Sequence, residues 1–434
     1  MISDTRVFDR IKNFILLRCD KDLVVIYLIA ISVSILMFFF APKVTIMDIN
    51  DYMFAKIQLL TYCKLDYYRV PLYPLFLALT YNGTGTTIMQ NIIFLISVGF
   101  CYSILKMLLS YRWVIFFFMV VYVIHPAFVF YNNVLMPESL SISLCTIYLF
   151  FLIRYIFQEK TKDCWIFHIL ALILIFIKPA FTFLLGISVG IFIYQSLFKR
   201  NIRRVGLFIL PMILAISLVG FYSMKMKKDE RVFNLSCVTD INLYWILGDH
   251  HLLDYNSIEN NELKTLVQTH PYGNYAVEIM DVRKIYGWKA MHDIVQTSIQ
   301  KNRKAFLIGD NITRTRLNNF KEVVGGGPIG NFWKVVTFFF SITFFQLITI
   351  LCIYLLLIIY TYFKTRKIPV LSITFFVFIT VNLFMFYFFA VNDLSRLAAT
   401  ILLVSLLVIA QLTEFSIQVI RNGKIKRDHL KIFQ

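Results

Sequence analysis

Charge is scarce in this sequence. Asp, Glu, Lys and Arg make up 16% of its 434 residues, against 59% hydrophobic and 17% aromatic. A water-soluble chain of this length could not hide that much apolar side chain, so a soluble protein is excluded. Acid is scarcer still, with 25 Asp and Glu against 43 Lys and Arg, for a net charge of +18. In a soluble protein such an excess would point to nucleic acid. In a membrane protein it collects in cytoplasmic loops and fixes orientation, so nucleic acid is not an expected partner. The seven cysteines are scattered, mostly in apolar runs, with no Cys-x-x-Cys or Cys/His spacing suited to a metal. Cys63 and Cys237 share a side of the membrane in the topology below, with no further sign of a bridge. Internal repeats and low-complexity tracts are also absent.

What the chain has is long apolar runs. A hydrocarbon core about 30 Å thick needs roughly 20 apolar residues per helix. Runs of that kind predict spans at 23–42, 88–109, 113–131, 138–157, 164–177, 180–198, 205–224, 332–363, 368–390 and 396–420. The expected fold is an all-α polytopic membrane protein of about ten transmembrane helices. It divides into an N-terminal transmembrane module, 1–224, an external domain, 225–331, and C-terminal helices with a basic tail, 332–434. The first run has basic residues before it and no small-residue cleavage site after it, so it reads as an uncleaved helix. With the N-terminus inside, the cytoplasmic segments hold 22 Lys and Arg and the short outer ones hold 6. That bias puts both termini in the cytoplasm of an inner-membrane protein.

The first external loop, 43–87, is too long for a turn. Its apolar stretch from Pro71 to Tyr81 is about half a bilayer long, which suits helices lying on or dipping into the interface. In the polar region 225–331, Ser257 followed by Glu262 and Leu263 reads as a helix start, and Val277, Met280, Lys284, Trp288, Met291, Val295 and Ile299 follow at three-to-four spacing, which predicts a small, mainly helical domain. Gly325-Gly-Gly-Pro328 then reads as a hinge.

The ionisable residues at the ends of spans matter most. Asp48, Asp51, Arg69, Glu138, Lys178, Asp393 and Arg396 all fall on the outer face. Singly, each has an ordinary reading: Asp48 and Asp51 as a solvated loop or a cap, Glu138 as a helix-terminus charge, Lys178 and Arg396 as interfacial anchors. Together they would suit an anionic, lipid-linked substrate, with cations holding a phosphate that gains charge as it leaves. A carboxylate would take the proton of an incoming hydroxyl. A carboxylate cluster can also hold a hard divalent cation, although nothing in the sequence demands one. His250-His251 has no ligand partner at helical spacing and reads as structural or acceptor-facing.

These residues also form a pattern. Asp48-x-x-x-Tyr52-x-x-Ala55, Arg69-x-Pro-x-Tyr73-Pro74, the turn from Asn133 to Glu138, and Lys178-Pro179 resemble the GT-C superfamily of integral-membrane glycosyltransferases. The branch with protein O-mannosyltransferases and lipid A aminoarabinose transferases is the most similar. The resemblance implies a polyprenyl-phosphate-sugar donor, an inverting transfer, and a glycan, lipid or protein acceptor. It makes Asp48 the catalytic base, with Asp51 as the alternative. Arg69, Lys178 and Arg396 would hold the donor phosphate, and Tyr52, Tyr73, Glu138 and Asp393 would bind substrate. Lys178 stands where many members carry Arg, whose bidentate fork an ammonium cannot reproduce. The expected setting is surface-polysaccharide or lipopolysaccharide modification. An O-antigen polymerase or ligase would instead use arginines of the large loop, where Arg303, Arg314 and Arg316 are available. A transporter would place charges within spans and show repeat symmetry, and neither is visible.

Overall fold

The computed structural model describes residues 20–40, 48–80, 83–199, 202–254, 275–309, 344–389 and 394–422. All regular structure among them is helical: α1 (Lys21–Phe40), α2 (Asp48–Tyr62), α3 (Leu72–Leu79), α4 (Thr84–Leu108), α5 (Arg112–Ile124), α6 (Pro137–Gln158) and α7 (Thr161–Ile177). There follow α8 (Phe183–Tyr194), α9 (Ile202–Glu230), α10 (Val238–Asp249), α11 (Tyr275–Lys301), α12 (Phe344–Thr365), α13 (Val370–Phe389) and α14 (Leu394–Asn422), with short helical turns between some of them.

The protein is an integral, multi-pass membrane protein. Among the described residues, seven helices are long and apolar enough to cross a bilayer, lying in α1, α4, α6, residues 179–197, α9, α12 and α14. Ten were expected; of the other three, 113–131 and 164–177 are helical but fall short of this, and 368–390 lies in the 20-residue α13. The run 113–131 breaks at His125, because the residue before Pro126 is held extended (φ −62°, ψ 122°). α7 has 17 residues, about 25 Å of helix, and carries Lys162, Asp163 and His168. α13 is apolar along its length.

α6 is the most buried of the seven. It packs against both α4 and α7. Its buried Ser139, Ser141, Ser143 and Thr146 let neighbouring backbones approach closely. On α1, Ile26, Ala30, Ser34 and Met37 recur at helical spacing and are all buried, while Leu28, Ile35, Leu36 and Phe39 are exposed as a lipid-facing surface must be. Gly99 of α4 lies against Tyr27, where an added Cβ would stand 2.7 Å from the phenol oxygen.

Near Asp20 the helices are joined by charge. Arg112 pairs with Asp22, and Lys106 with Asp20 at 3.1 Å. Glu414 of α14, fully buried, accepts the backbone N–H of Ser110 at 2.7 and 2.9 Å and of Tyr111 at 3.2 Å. A carboxylate some 300 residues away thus caps the N-terminus of α5, whose own N-cap residue offers no side-chain bond.

The described part of the polar region is helical, as its spacing predicts. α11 is two helical runs joined at Gly287, whose φ of 76° suits glycine. Trp288, Met291 and Val295 are buried against α10. The side chains of Val277, Met280 and Lys284, and all of Ser257, Glu262, Leu263 and Gly325–Pro328, lie outside the described residues. No disulfide joins Cys63, which is exposed, to Cys237, which is buried.

Candidate functional site

The site begins with the extended segment between α2 and α3. Asp66 accepts the N–H of Tyr68 at 3.1 Å, an Asx turn that sets the path of the next three residues. Pro71 then starts α3. Between them, Arg69 turns its guanidinium back on α2. Its Nη2 donates to Asp51 at 2.9 Å and to the Tyr68 hydroxyl at 3.4 Å, and its Nη1 donates to the Tyr52 hydroxyl at 3.5 Å. The cation lies 4.6 Å from the Tyr52 ring centre and 4.3 Å from that of Tyr68. Arg69 is 10% exposed and Asp51 27%. Aromatic faces attract a cation and limit its hydration, which strengthens its pull on an anion.

Tyr52 and Ala55 are both buried, so the three-residue spacing of the sequence pattern marks the inner face of α2. Asp48 opens α2 one turn before Tyr52. Its side chain lies outside the described residues.

Tyr73, fully buried, stands edge-on to Tyr52 with ring centres 5.0 Å apart. Its hydroxyl donates to Gln90 of α4 at 3.2 Å. The Gln90 amide donates onward to the carbonyls of Tyr131 and Asn132, each at 3.2 Å, and of Val134 at 2.9 Å. Ser139 fixes the same turn by donating to Asn132 at 2.5 Å. The turn delivers Glu138 in the first turn of α6, after Pro137 at the helix start. Glu138 is 4% exposed and accepts Lys178 Nζ through Oε1 at 3.3 Å. Its buried Oε2 has no hydrogen-bond partner among the described residues. Burial pushes the Tyr73 phenol well above its usual pKa, with Tyr52 and Glu138 adding to the effect, which puts that carboxylate within electrostatic reach of the tyrosine pair. Lys178 is held extended at the end of α7, where Pro179 cannot continue the helix.

Of the residues singled out in the sequence, the structure thus joins Asp51, Tyr52, Arg69 and Tyr73 in one cluster and pairs Glu138 with Lys178. Arg396 lies in α14, but its side chain, like all of Asp393, is outside the described residues. His250 ends α10 and His251 takes a left-handed φ of 55°. Among the described residues no three His, Cys, Asp or Glu side chains are placed to share a metal.

Several members of the cluster escaped sequence reasoning. Gln90 lies within the apolar run 88–109, which carries no sign of its partners. Asp66 and Tyr68 flank Arg69 and could have been found from its neighbourhood. The contacts from the polar region are nonlocal and leave no pattern: Cys237 N–H donates to the Tyr67 carbonyl at 3.0 Å, Ser236 Oγ to that of Tyr68 at 2.8 Å, and the Trp288 and Tyr68 rings lie 6.1 Å apart.

No family model and no curated protein matches the chain. Among solved structures it is similar to the archaeal oligosaccharyltransferase AglB from Archaeoglobus fulgidus, solved with an inhibitory peptide and a dolichol-phosphate. The identity is 9% and the TM-score 0.49, over 92% of this chain and 51% of that one. The chain therefore spans about half the length of that relative.

Proposed function

We propose that this protein is a GT-C glycosyltransferase that moves a sugar from a polyprenyl-phosphate donor to an acceptor hydroxyl at the outer face of the membrane. The observation that carries the reading is the Arg69 guanidinium, nearly buried between Tyr52 and Tyr68 and balanced by Asp51. A cation placed on this interfacial loop beside apolar helices suits a phosphate carried on a lipid, and a soluble anion would not need the lipid-facing setting. Arg69 holds the donor phosphate, Lys178 adds positive charge, and Arg396 belongs to the same outer set. As the glycosidic bond breaks, the phosphate gains charge and its pairing with the cations strengthens, which is where the rate enhancement arises. Asp48 takes the acceptor proton. Asp51 serves as the counter-ion of Arg69, and Glu138 as that of Lys178. Transfer inverts the anomeric carbon because the acceptor attacks opposite the departing phosphate.

The basic asymmetry of the loops, 22 against 6, supports the outward orientation. The product would be a modified surface polysaccharide or lipopolysaccharide. The test is transfer of labelled sugar from polyprenyl-phosphate donor into membranes containing wild-type protein or Asp48→Asn. Asn cannot accept the proton, so transfer should fall by about 10²–10⁴-fold with donor binding retained. Undiminished transfer by Asp48→Asn removes the base assignment.

A further inference from the structure

One buried carboxylate–imidazole contact in the polar region has no part in the donor site. Asp240, in the first turn of α10, is 3% exposed, and both of its oxygens lie 3.1 Å from Nδ1 of His292 on α11. Burial pushes the Asp240 carboxyl up, and His292 works against that shift. In the neutral ring, a carboxylate accepting from Nδ1 requires the proton there, so Nε2 presents a lone pair. The His292 side chain is 30% exposed, so the pairing with Asp240 does not bury the ring.

The pair is tied to the donor site. Ser236 and Cys237, just before α10, bond the carbonyls of Tyr68 and Tyr67. Trp288, one turn before His292, faces Tyr68 across 6.1 Å, and Tyr68 lies 4.3 Å from the Arg69 cation. A continuous chain of contacts thus links the helix of His292 to the loop that carries Arg69. Holding α11 in place does not need an imidazole half open to water. Lys301 pairs with Asp254 at 2.6 Å, Ser298 accepts the Asp254 N–H at 2.8 Å, and Asn302 donates to the Leu252 carbonyl at 2.9 Å.

We propose that His292, oriented by Asp240, is an acceptor-binding residue: Nε2 accepts a hydrogen bond from a hydroxyl of the incoming acceptor and holds that molecule over the donor at Arg69. The proposal rests on the glycosyl-transfer reading and assigns His292 no covalent step. The leaving proton still goes to Asp48.

Two substitutions separate positioning from packing. Asn at 292 keeps a donor for Asp240 but removes the outer acceptor atom, whereas Gln puts an amide near Nε2. The experiment uses the full chain in membranes. It measures transfer from polyprenyl-phosphate sugar across a range of acceptor-membrane concentrations, and separately measures binding of polyprenyl phosphate without sugar. The expected result for His292→Asn is a 10- to 100-fold loss, appearing as a raised acceptor KM with kcat largely kept. Polyprenyl-phosphate affinity and thermal midpoint should stay as in wild type, and His292→Gln should recover part of the loss. Wild-type acceptor KM in His292→Asn overturns the proposal, as does a loss matched by weaker phosphate binding or a lower midpoint. If the wild-type chain binds no polyprenyl phosphate, the donor reading fails on its own evidence and takes this proposal with it.

Discussion

Replacing Asp51 by Asn separates the roles of the two carboxylates on α2. The Arg69 Nη2 is 2.9 Å from Asp51, so a phosphate arriving at the guanidinium must share it with a carboxylate already in place. Two negative charges about 5 Å apart repel by roughly 3 kcal/mol at an effective dielectric of 20. Asp51 is 27% exposed, and solvent and salt reduce that repulsion to about 1–2 kcal/mol, close to a tenfold change in affinity. Asp51→Asn should therefore bind polyprenyl phosphate about tenfold more tightly than wild type and keep transferring sugar, because its amide oxygen still accepts from Arg69. Arg69→Ala should bind about 100-fold more weakly. Arg69→Lys should fall between them, since it keeps the charge but not the planar fork or the contact with two rings. The assay is titration of detergent-purified full chain with polyprenyl phosphate at low and high salt, where the Asp51→Asn gain should shrink as salt rises. Weaker binding by Asp51→Asn, or a loss of transfer as complete as that of Asp48→Asn, would refute the counter-ion assignment.

Three further expectations concern the frame. Gln90→Leu leaves the Tyr73 hydroxyl and the carbonyls of residues 131, 132 and 134 without their shared partner; it should cost about 2–4 kcal/mol by denaturant titration and lower transfer, because the turn leading to Glu138 loses its anchor. Glu414→Gln weakens three charge-assisted bonds to the start of α5; a loss of about 1–3 kcal/mol is expected, with polyprenyl-phosphate affinity unchanged. The Tyr102 hydroxyl, aided by Lys106, holds the Asp20 carboxyl below its usual pKa against a smaller opposing effect of burial. A lowered carboxylate pKa gives stability that is present above the unfolded value near 3.8 and is lost as pH falls through the folded value. Wild-type protein should thus lose more stability than Asp20→Asn when unfolding is compared at pH 6 and at about pH 3.

Within the described residues the apolar runs lie on helices, because twenty apolar residues in a bilayer leave the backbone little alternative. What the runs concealed were their breaks. Pro126 divides 113–131, and residues 195–199 turn as a π-helix at the end of α8. The spacing of Tyr52 and Ala55 was legible because one buried face of α2 requires it. Arg69 could be recognised as a cation near a carboxylate, but its choice of Asp51 depends on how the 66–70 segment folds back on α2. Gln90 and Glu414 were hidden for another reason. Each is a polar side chain within an apolar helix whose partners lie about 40 and 300 residues away, and periodicity carries no information on such pairs.

The central claim is that Arg69 binds the phosphate of a lipid-linked donor. Its most direct test is equilibrium binding of polyprenyl phosphate to the purified full chain, wild type against Arg69→Ala. Saturable binding by wild type, weakened about 100-fold in a folded Arg69→Ala protein, is the predicted result. Equal affinity of the two proteins, or no saturable binding by wild type, would contradict it.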